Sequence, residues 1–396
     1  MKLLRKIIGI HLVISISIVG LTLPAWAEKK PYKVGCNFEM TGGFANFVAI
    51  IKNGLILEQE RINAQGGIDG HPLELIFEDN GMDITKMANV NRKFARNKEI
   101  QAIIGPLWSA GSTALIPVAE REKIPQIAIW APSSVERRLK PNWVFSIPQG
   151  DVILAERLMD LVMGRGYKRL FVFSEQAPNW IDAQNNMKAI GEKNKIEVFI
   201  SPETYQANDM DMTPQILKFK DQLKNYNAIW LGTNGVLGAT IMRNLSAQGI
   251  RMPVIGTHAW GFGFTLEIGK EAVEGAEFVA GKAVVTDQLD DSDPQKPVIV
   301  DFDRRMKARW NGMPAEQLSG HSYDAIWILY HAFKRAGENP TRAQLRDAIE
   351  KTRNFVGVTG IYNYSPTDHL GLTKKSLAFI KIQNNRFVRI KLPEYE

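Results

Sequence analysis

The chain has 396 residues, 45% hydrophobic and 23% charged, with 49 Lys and Arg against 42 Asp and Glu for a formal charge of +7. That length exceeds one ordinary core and suits two lobes. The basic residues are scattered, which argues against a nucleic-acid tail, and one cysteine, Cys36, excludes an intramolecular disulfide.

Lys2, Arg5 and Lys6 form a basic start, followed by an apolar run from Ile7 to Leu23 that Pro24 breaks. Ala25-Trp26-Ala27 has the small-x-small pattern of a signal-peptidase site. The run is short of the roughly 20 apolar residues that span a bilayer, so a cleaved leader is favoured over an uncleaved anchor. Cleavage after Ala27 leaves 369 of the 396 residues, and loss of the leader's three cations takes the net charge from +7 to +4. The expected location is a periplasm. Cys36 is too far from Ala27 to be a lipid-anchored N-terminus and is expected as a buried thiol ending the first strand.

From Tyr32 short apolar runs alternate with amphipathic stretches. Strands are expected at 32–37, 73–78, 101–104 and 126–129, with helices at 47–63, 84–96 and 112–122 between them. The rhythm restarts after Gly150: helix 152–163, strand 169–173, helix 180–193, strand 196–201, helix 213–223, strand 228–231, helix 237–248, strand 254–256. Such alternation predicts doubly wound, mainly parallel α/β sheets. The tail holds a loop rich in Asp and Pro (287–297), helices at 298–310, 323–336 and 342–351, and a terminal hairpin, 376–383 and 387–391, turning at Asn384-Asn385.

Ligands of open α/β sheets sit beyond the carboxyl ends of the strands. The loops there carry Phe44, Phe47, Trp108, Trp130, Trp180, Trp260, Phe262 and Phe264, interleaved with Ser109, Ser112, Ser133, Ser134 and Asn234. Aromatic walls beside helix starts that attract anions suit an amphiphilic acid. The bland alternative is that several aromatics are core and several serines cap helices. No metal site is expected, because the six histidines show no HxxxH spacing and no cysteines pair. Nor are catalytic residues or a cofactor: 105–111 is neither a nucleophile elbow nor a phosphate loop, and His258 has no orienting partner in the sequence.

Several segments, in this order and spacing, carry a resemblance: Met40-Thr41-Gly42-Gly43-Phe44-Ala45, Ile62-Asn63-Ala64-Gln65-Gly66-Gly67-Ile68, Leu75-Ile76-Phe77-Glu78-Asp79-Asn80, Ile103-Ile104-Gly105-Pro106, and Thr359-Gly360-Ile361-Tyr362 to Asp368-His369-Leu370-Gly371. Over the whole mature chain it resembles the leucine/isoleucine/valine-binding type of periplasmic substrate-binding protein serving ABC transporters. The resemblance implies the type I periplasmic binding fold, two Rossmann-like doubly wound lobes joined by three crossover strands near 146–150, 279–283 and 354–358. Residues 32–148 with 283–355 would form the N-terminal lobe, and 149–282 with 356–396 the C-terminal lobe. It also implies a monomer that closes on its ligand by a hinge and hands it to membrane permease subunits.

By the same resemblance Ser109, and Ala131 with Ser133 or Ser134, would hold a carboxylate, and Phe47 and Trp180 would form walls. One departure matters. Where amino-acid binders commonly place a carboxylate for the ligand's ammonium, this chain has His258, and Asn234 replaces a common aromatic. A buried ammonium without an anion is costly, so a small aromatic or hydrophobic carboxylate is the expected ligand, with Trp108 and Trp130 lining the site and His258 or Asn234 reading its far end. The alternative is a branched-chain amino acid or an amide, with Glu175, Asp182 or Asp83 as the anion. A ligand-sensing partner of a membrane receptor, and a two-lobed enzyme, are the further alternatives.

Overall fold

The computed structural model describes residues 29–129 and 143–395. The leader expected at 1–27, with its cleavage site, lies outside the described residues, as do Trp130, Ala131, Ser133 and Ser134.

The first sheet contains β1 (Tyr32–Phe38), β2 (Leu73–Asp79), β3 (Ile100–Ile104), β4 (Gln126–Ala128) and β5 (Val144–Ser146) in the order β2-β1-β3-β4-β5, with every neighbouring pair parallel. Parallel neighbours require crossovers, and α1 (Ala45–Ala64), α2 (Ile84–Arg96) and α3 (Ser109–Glu122) supply them. Val34, Cys36 and Phe38 of β1 meet the stripe Val48, Ile51, Leu55 and Ile62 of α1 in one apolar cluster. The Cys36 thiol is fully buried and burial pushes its pKa up. Asp83 starts α2 by accepting the Lys86 N–H, a cap that satisfies one orphan donor of the first turn.

After β5 the chain runs through α4 (Asp151–Gly164), β6 (Arg169–Ser174), α5 (Pro178–Asn194), β7 (Glu197–Ile200), α6 (Thr213–Phe219), β8 (Ala228–Gly232), α7 (Gly235–Ala247), β9 (Val254–Ile255), α8 (Gly263–Gly269) and β10 (Glu277–Gly281). The helix expected over 213–223 is divided, its end forming a separate 3₁₀ turn at Gln222–Asn225. Then come α9 (Gln295–Arg309), α10 (Gln317–Ala336), α11 (Arg342–Glu350), the paired β11 (Phe355–Val356) and β12 (Ile361–Tyr362), and the hairpin β13 (Leu377–Gln383) and β14 (Arg386–Ile390). The second sheet has the order β14-β13-β10-β9-β8-β6-β7, parallel from β7 to β10 and antiparallel beyond. Asn384 and Asn385 both take positive φ, 54° and 53°, the conformation a two-residue hairpin turn of type I′ demands.

Helices α4 and α5 cover one face of this sheet through Leu158, Leu161, Val162 and Met187. Helices α6 and α7 cover the other through Ile216, Phe219, Ile241 and Leu245. Helix α10 joins the two halves: Ile326, Leu329 and Phe333 share the first core, whereas Tyr323 packs with Phe302 of α9 in the second. Glu58 of α1, fully buried, accepts from Trp327 Nε1 at 2.7 Å and pairs with Arg305 of α9.

Around the passages between the sheets, buried polar groups tie the strands of chain together. Tyr364 Oη donates to the Ser146 carbonyl at 2.7 Å, Tyr362 Oη lies 2.9 Å from the Ile147 carbonyl, and Gln149 Nε2 donates to the Thr359 carbonyl at 2.9 Å. Asp324 of α10 accepts the Val358 and Thr359 N–H groups at 2.6 and 2.9 Å. Gly357 must lack a side chain here, since a Cβ would fall 2.2 Å from Asp324 Oδ1.

Candidate functional site

The carboxyl ends of β1 and β3 converge on the start of α3. Gly105 turns the chain with φ 102°, and a Cβ there would lie 2.3 Å from the Asn37 carbonyl oxygen, so only glycine fits. Glu39, buried just past β1, accepts the Leu107 and Trp108 N–H groups at 3.1 and 3.2 Å. Burial pushes the Glu39 pKa up against those hydrogen bonds. The carboxylate thereby fixes the turn that presents Ser109, first residue of α3. Asp79 does the same for the preceding loop, accepting the Met40, Thr41 and Gly81 N–H groups.

The second sheet faces this point with the end of β9. Thr257 Oγ1 donates to the Thr233 carbonyl at 2.8 Å and accepts the Ala259 N–H, starting a 3₁₀ turn over His258–Gly261. His258 is buried on that turn, and burial holds its pKa down at about 4. It is therefore a neutral imidazole at physiological pH. Its ring lies 6.0 Å from that of Trp180, near the start of α5. Behind it stands His321 of α10, held down at about 3 by burial and by the charge of a protonated His258.

Between these groups lies a pocket lined by polar and apolar side chains together. Ser109, Asp151, Asn179, Trp180, Thr257 and His258 bring polar groups to it. Leu154, Ala155, Leu158, Ala183, Met187, Trp230 and Val279, from α4, α5 and the sheet, complete the lining. Ser109 belongs to an element of the first sheet and the remaining residues to those of the second, so the pocket lies between the two halves.

The structure thus brings Ser109, Trp180 and His258 together. It places Phe47, Trp108 and Asn234 elsewhere. Phe47 packs edge-on to Phe44, 6.2 Å away, against the first core. Trp108 packs on Met87, Leu115 and Val118. Asn234 accepts the Val236 and Leu237 N–H groups as the cap of α7. Trp260 is fully buried, its indole N–H donating to the Thr233 carbonyl at 3.0 Å. Of the carboxylates considered for an ammonium, Asp83 caps α2 and Glu175 accepts from Thr233 Oγ1 at 3.1 Å. Neither these two nor Asp182 lines the pocket. Asp151 and Asn179 do; Asn179 ends a strand-end loop read from the sequence but was not singled out, and Asp151 was passed over. Their signal was position, since each begins a helix that follows a strand. His321 had no such signal, because only packing brings α10 beside the β9 end.

Among the described residues no His, Cys, Asp and Glu cluster is suited to a metal, and no helix is long and apolar enough to cross a membrane.

A family model described as periplasmic binding protein matches residues 31–386, and the chain belongs to that family. The family consists of substrate-binding transport proteins and is not an enzyme class. The Leu/Ile/Val-binding protein homolog 3 of Brucella melitensis biotype 1 is 21% identical over 355 residues, covering 89% of this chain and 91% of that protein. An extracellular ligand-binding receptor from Rhodopseudomonas palustris HaA2 superimposes with a TM-score of 0.78 at 22% identity, over 91% of this chain and 99% of its own. A leucine binding protein from Thermotoga maritima MSB8 gives 0.74 at 24% identity, over 91% and 97%. The substrate binding protein of a branched-chain amino acid transporter from Streptococcus pneumoniae, solved with isoleucine, gives 0.73 at 22%, over 91% and 100%. The fold is the type I periplasmic binding fold.

Proposed function

We propose that this protein captures a small aromatic or hydrophobic carboxylate between its halves and delivers it to the permease subunits of an ABC uptake transporter. The observation that carries the reading is the pocket itself, where Ser109, Thr257 and His258 stand beside the apolar Leu154, Leu158, Met187 and Val279. The carboxylate sits at Ser109 and the start of α3, where unpaired helical N–H groups favour an anion. The tail enters between α4 and α5 against Leu158, Met187 and Trp230. His258, neutral because of its burial, offers hydrogen bonds without charge. Residues 32–148 with 283–355 close as one lobe on 149–282 with 356–396, about the passages near Ile147 and Val358. The mature protein is an exported monomer beginning after Ala27.

A second reading, a branched-chain amino acid, is favoured by Asp151. It lines the same pocket, and its carboxylate would supply the anion that an ammonium requires. The ligands in the names of the relatives point the same way. Calorimetric titration of ligand-free protein with aromatic acids, branched aliphatic acids and branched-chain amino acids separates the two. Binding of the acids, weakened about tenfold or more by Ser109→Ala, supports the first reading. Binding of amino acids alone, abolished by Asp151→Asn, supports the second, and heat from neither class overturns both.

A further inference from the structure

The second sheet turns two buried tryptophans in opposite directions. Trp260 points its indole N–H at the Thr233 carbonyl. Trp230, on β8, is 1% exposed and lines the pocket, and its Nε1 has no hydrogen-bond partner among the described residues. Buried indole N–H groups usually find an acceptor, because an unpaired buried donor forfeits its hydration without compensation. Leu158, Ala183 and Val279, which line the same pocket, cannot provide one, and the Met187 sulfur, a weak acceptor, makes no such bond. A solute that enters the pocket can supply the acceptor.

We infer that Trp230 is a specificity-determining residue whose indole N–H reads a hydrogen-bond acceptor on the inner part of the solute. The solute is therefore an oxygen-bearing amphiphilic acid (hydroxy-, oxo- or alkoxy-substituted) and not a plain hydrocarbon acid. This rests on the placement of the solute tail proposed above. A hydrocarbon tail of the same shape would seal the N–H in a dry pocket, whereas an oxygen in its place pairs with it. Sites built to hydrogen-bond a substrate group discriminate strongly against analogues lacking it.

The test uses pairs matched in shape and differing in one oxygen: 4-methoxybenzoate with 4-ethylbenzoate, 5-oxohexanoate with 5-methylhexanoate, and, for the amino-acid reading, O-methylthreonine with isoleucine. Titration calorimetry on the wild-type protein should show the oxygen-bearing member of the binding pair held roughly tenfold more tightly. Trp230→Phe keeps an aromatic ring and removes the donor. It should bring the two members within about threefold of each other by weakening only the oxygen-bearing one. Equal or tighter binding of the hydrocarbon member overturns the inference, as does a preference that survives in Trp230→Phe. Should that variant fail to fold, the indole ¹H–¹⁵N spectrum of the wild-type protein decides. One buried indole proton moving downfield with the oxygen-bearing member alone supports the assignment, and the same spectrum with both members refutes it. Binding by no compound of any pair overturns the proposed function and this inference with it. Binding without discrimination overturns this inference alone.

Discussion

Replacing Asp324 by alanine tests how the chain is pinned where it passes between the sheets. The carboxylate is fully buried and accepts the Val358 and Thr359 N–H groups, and the Thr359 and Tyr362 hydroxyls also reach it. Alanine leaves two buried backbone donors without an acceptor, at about 1–3 kcal/mol each. Opposing this, burial pushes the Asp324 pKa from 3.8 to about 6, more than the hydrogen bonds lower it. The folded state therefore holds a proton that the unfolded state releases. The associated stability is full below pH 3.8 and is lost as pH rises through 6. Between pH 4.5 and pH 7 that linkage amounts to about 2 kcal/mol. Asp324→Ala, which lacks it, should lose about 2–4 kcal/mol at pH 7 and about 2 kcal/mol more at pH 4.5. Urea unfolding followed by circular dichroism at the two pH values measures both. An equal loss at the two, or a larger loss at pH 7, refutes the reasoning.

The buried histidines act in the opposite sense. His258 and His321 are held at about 4 and about 3, against 6.5 for an ordinary imidazole. Their contribution is full above pH 6.5 and is lost as pH falls toward 4, at about 2–3 kcal/mol each by pH 4.5. The melting temperature should drop over that interval and drop less in His321→Leu, and an unchanged slope in the variant counts against it. Glu39→Ala orphans the Leu107 and Trp108 N–H groups and should cost about 2–4 kcal/mol. It should also weaken solute binding through the displaced Ser109, with Glu39→Gln partly restoring both. Titration at a temperature where the variants are folded checks the second effect, and unaltered affinity contradicts it. Gly105→Ala combines a positive φ with a Cβ against the Asn37 carbonyl. A loss of about 3 kcal/mol or more is expected, and a melting temperature within a degree of wild type excludes that geometry.

The order of strands and helices was legible because hydrophobic periodicity is a local property. Residues 32–37 read as a strand, and the structure buries Val34, Cys36 and Phe38 together. The Asn384-Asn385 turn was legible for the same reason, since two adjacent residues that tolerate positive φ suffice to close a hairpin. Short elements were less so. Three-residue β5 carries too little pattern to announce itself, and β10 showed in the sequence only as part of a crossing. In the structure β10 is a buried inner strand of the second sheet, flanked by β9 and β13.

At the site, the sequence by itself determined which loops lie at the strand ends, and with them Ser109, Trp180 and His258. It could not determine which way an aromatic ring turns. Trp108 and Trp260 pack into cores, while Trp230, mid-strand and unnoticed, reaches the pocket. A residue's type records that it prefers to be buried, and burial in a core and burial in a pocket satisfy that preference equally. Only the tertiary structure decided between them, because facing a pocket depends on the surfaces that distant segments leave unfilled. His321 comes near enough to His258 to feel its charge for the same reason. A later helix and a turn from the middle of the chain are brought near each other by packing, and no local pattern records it.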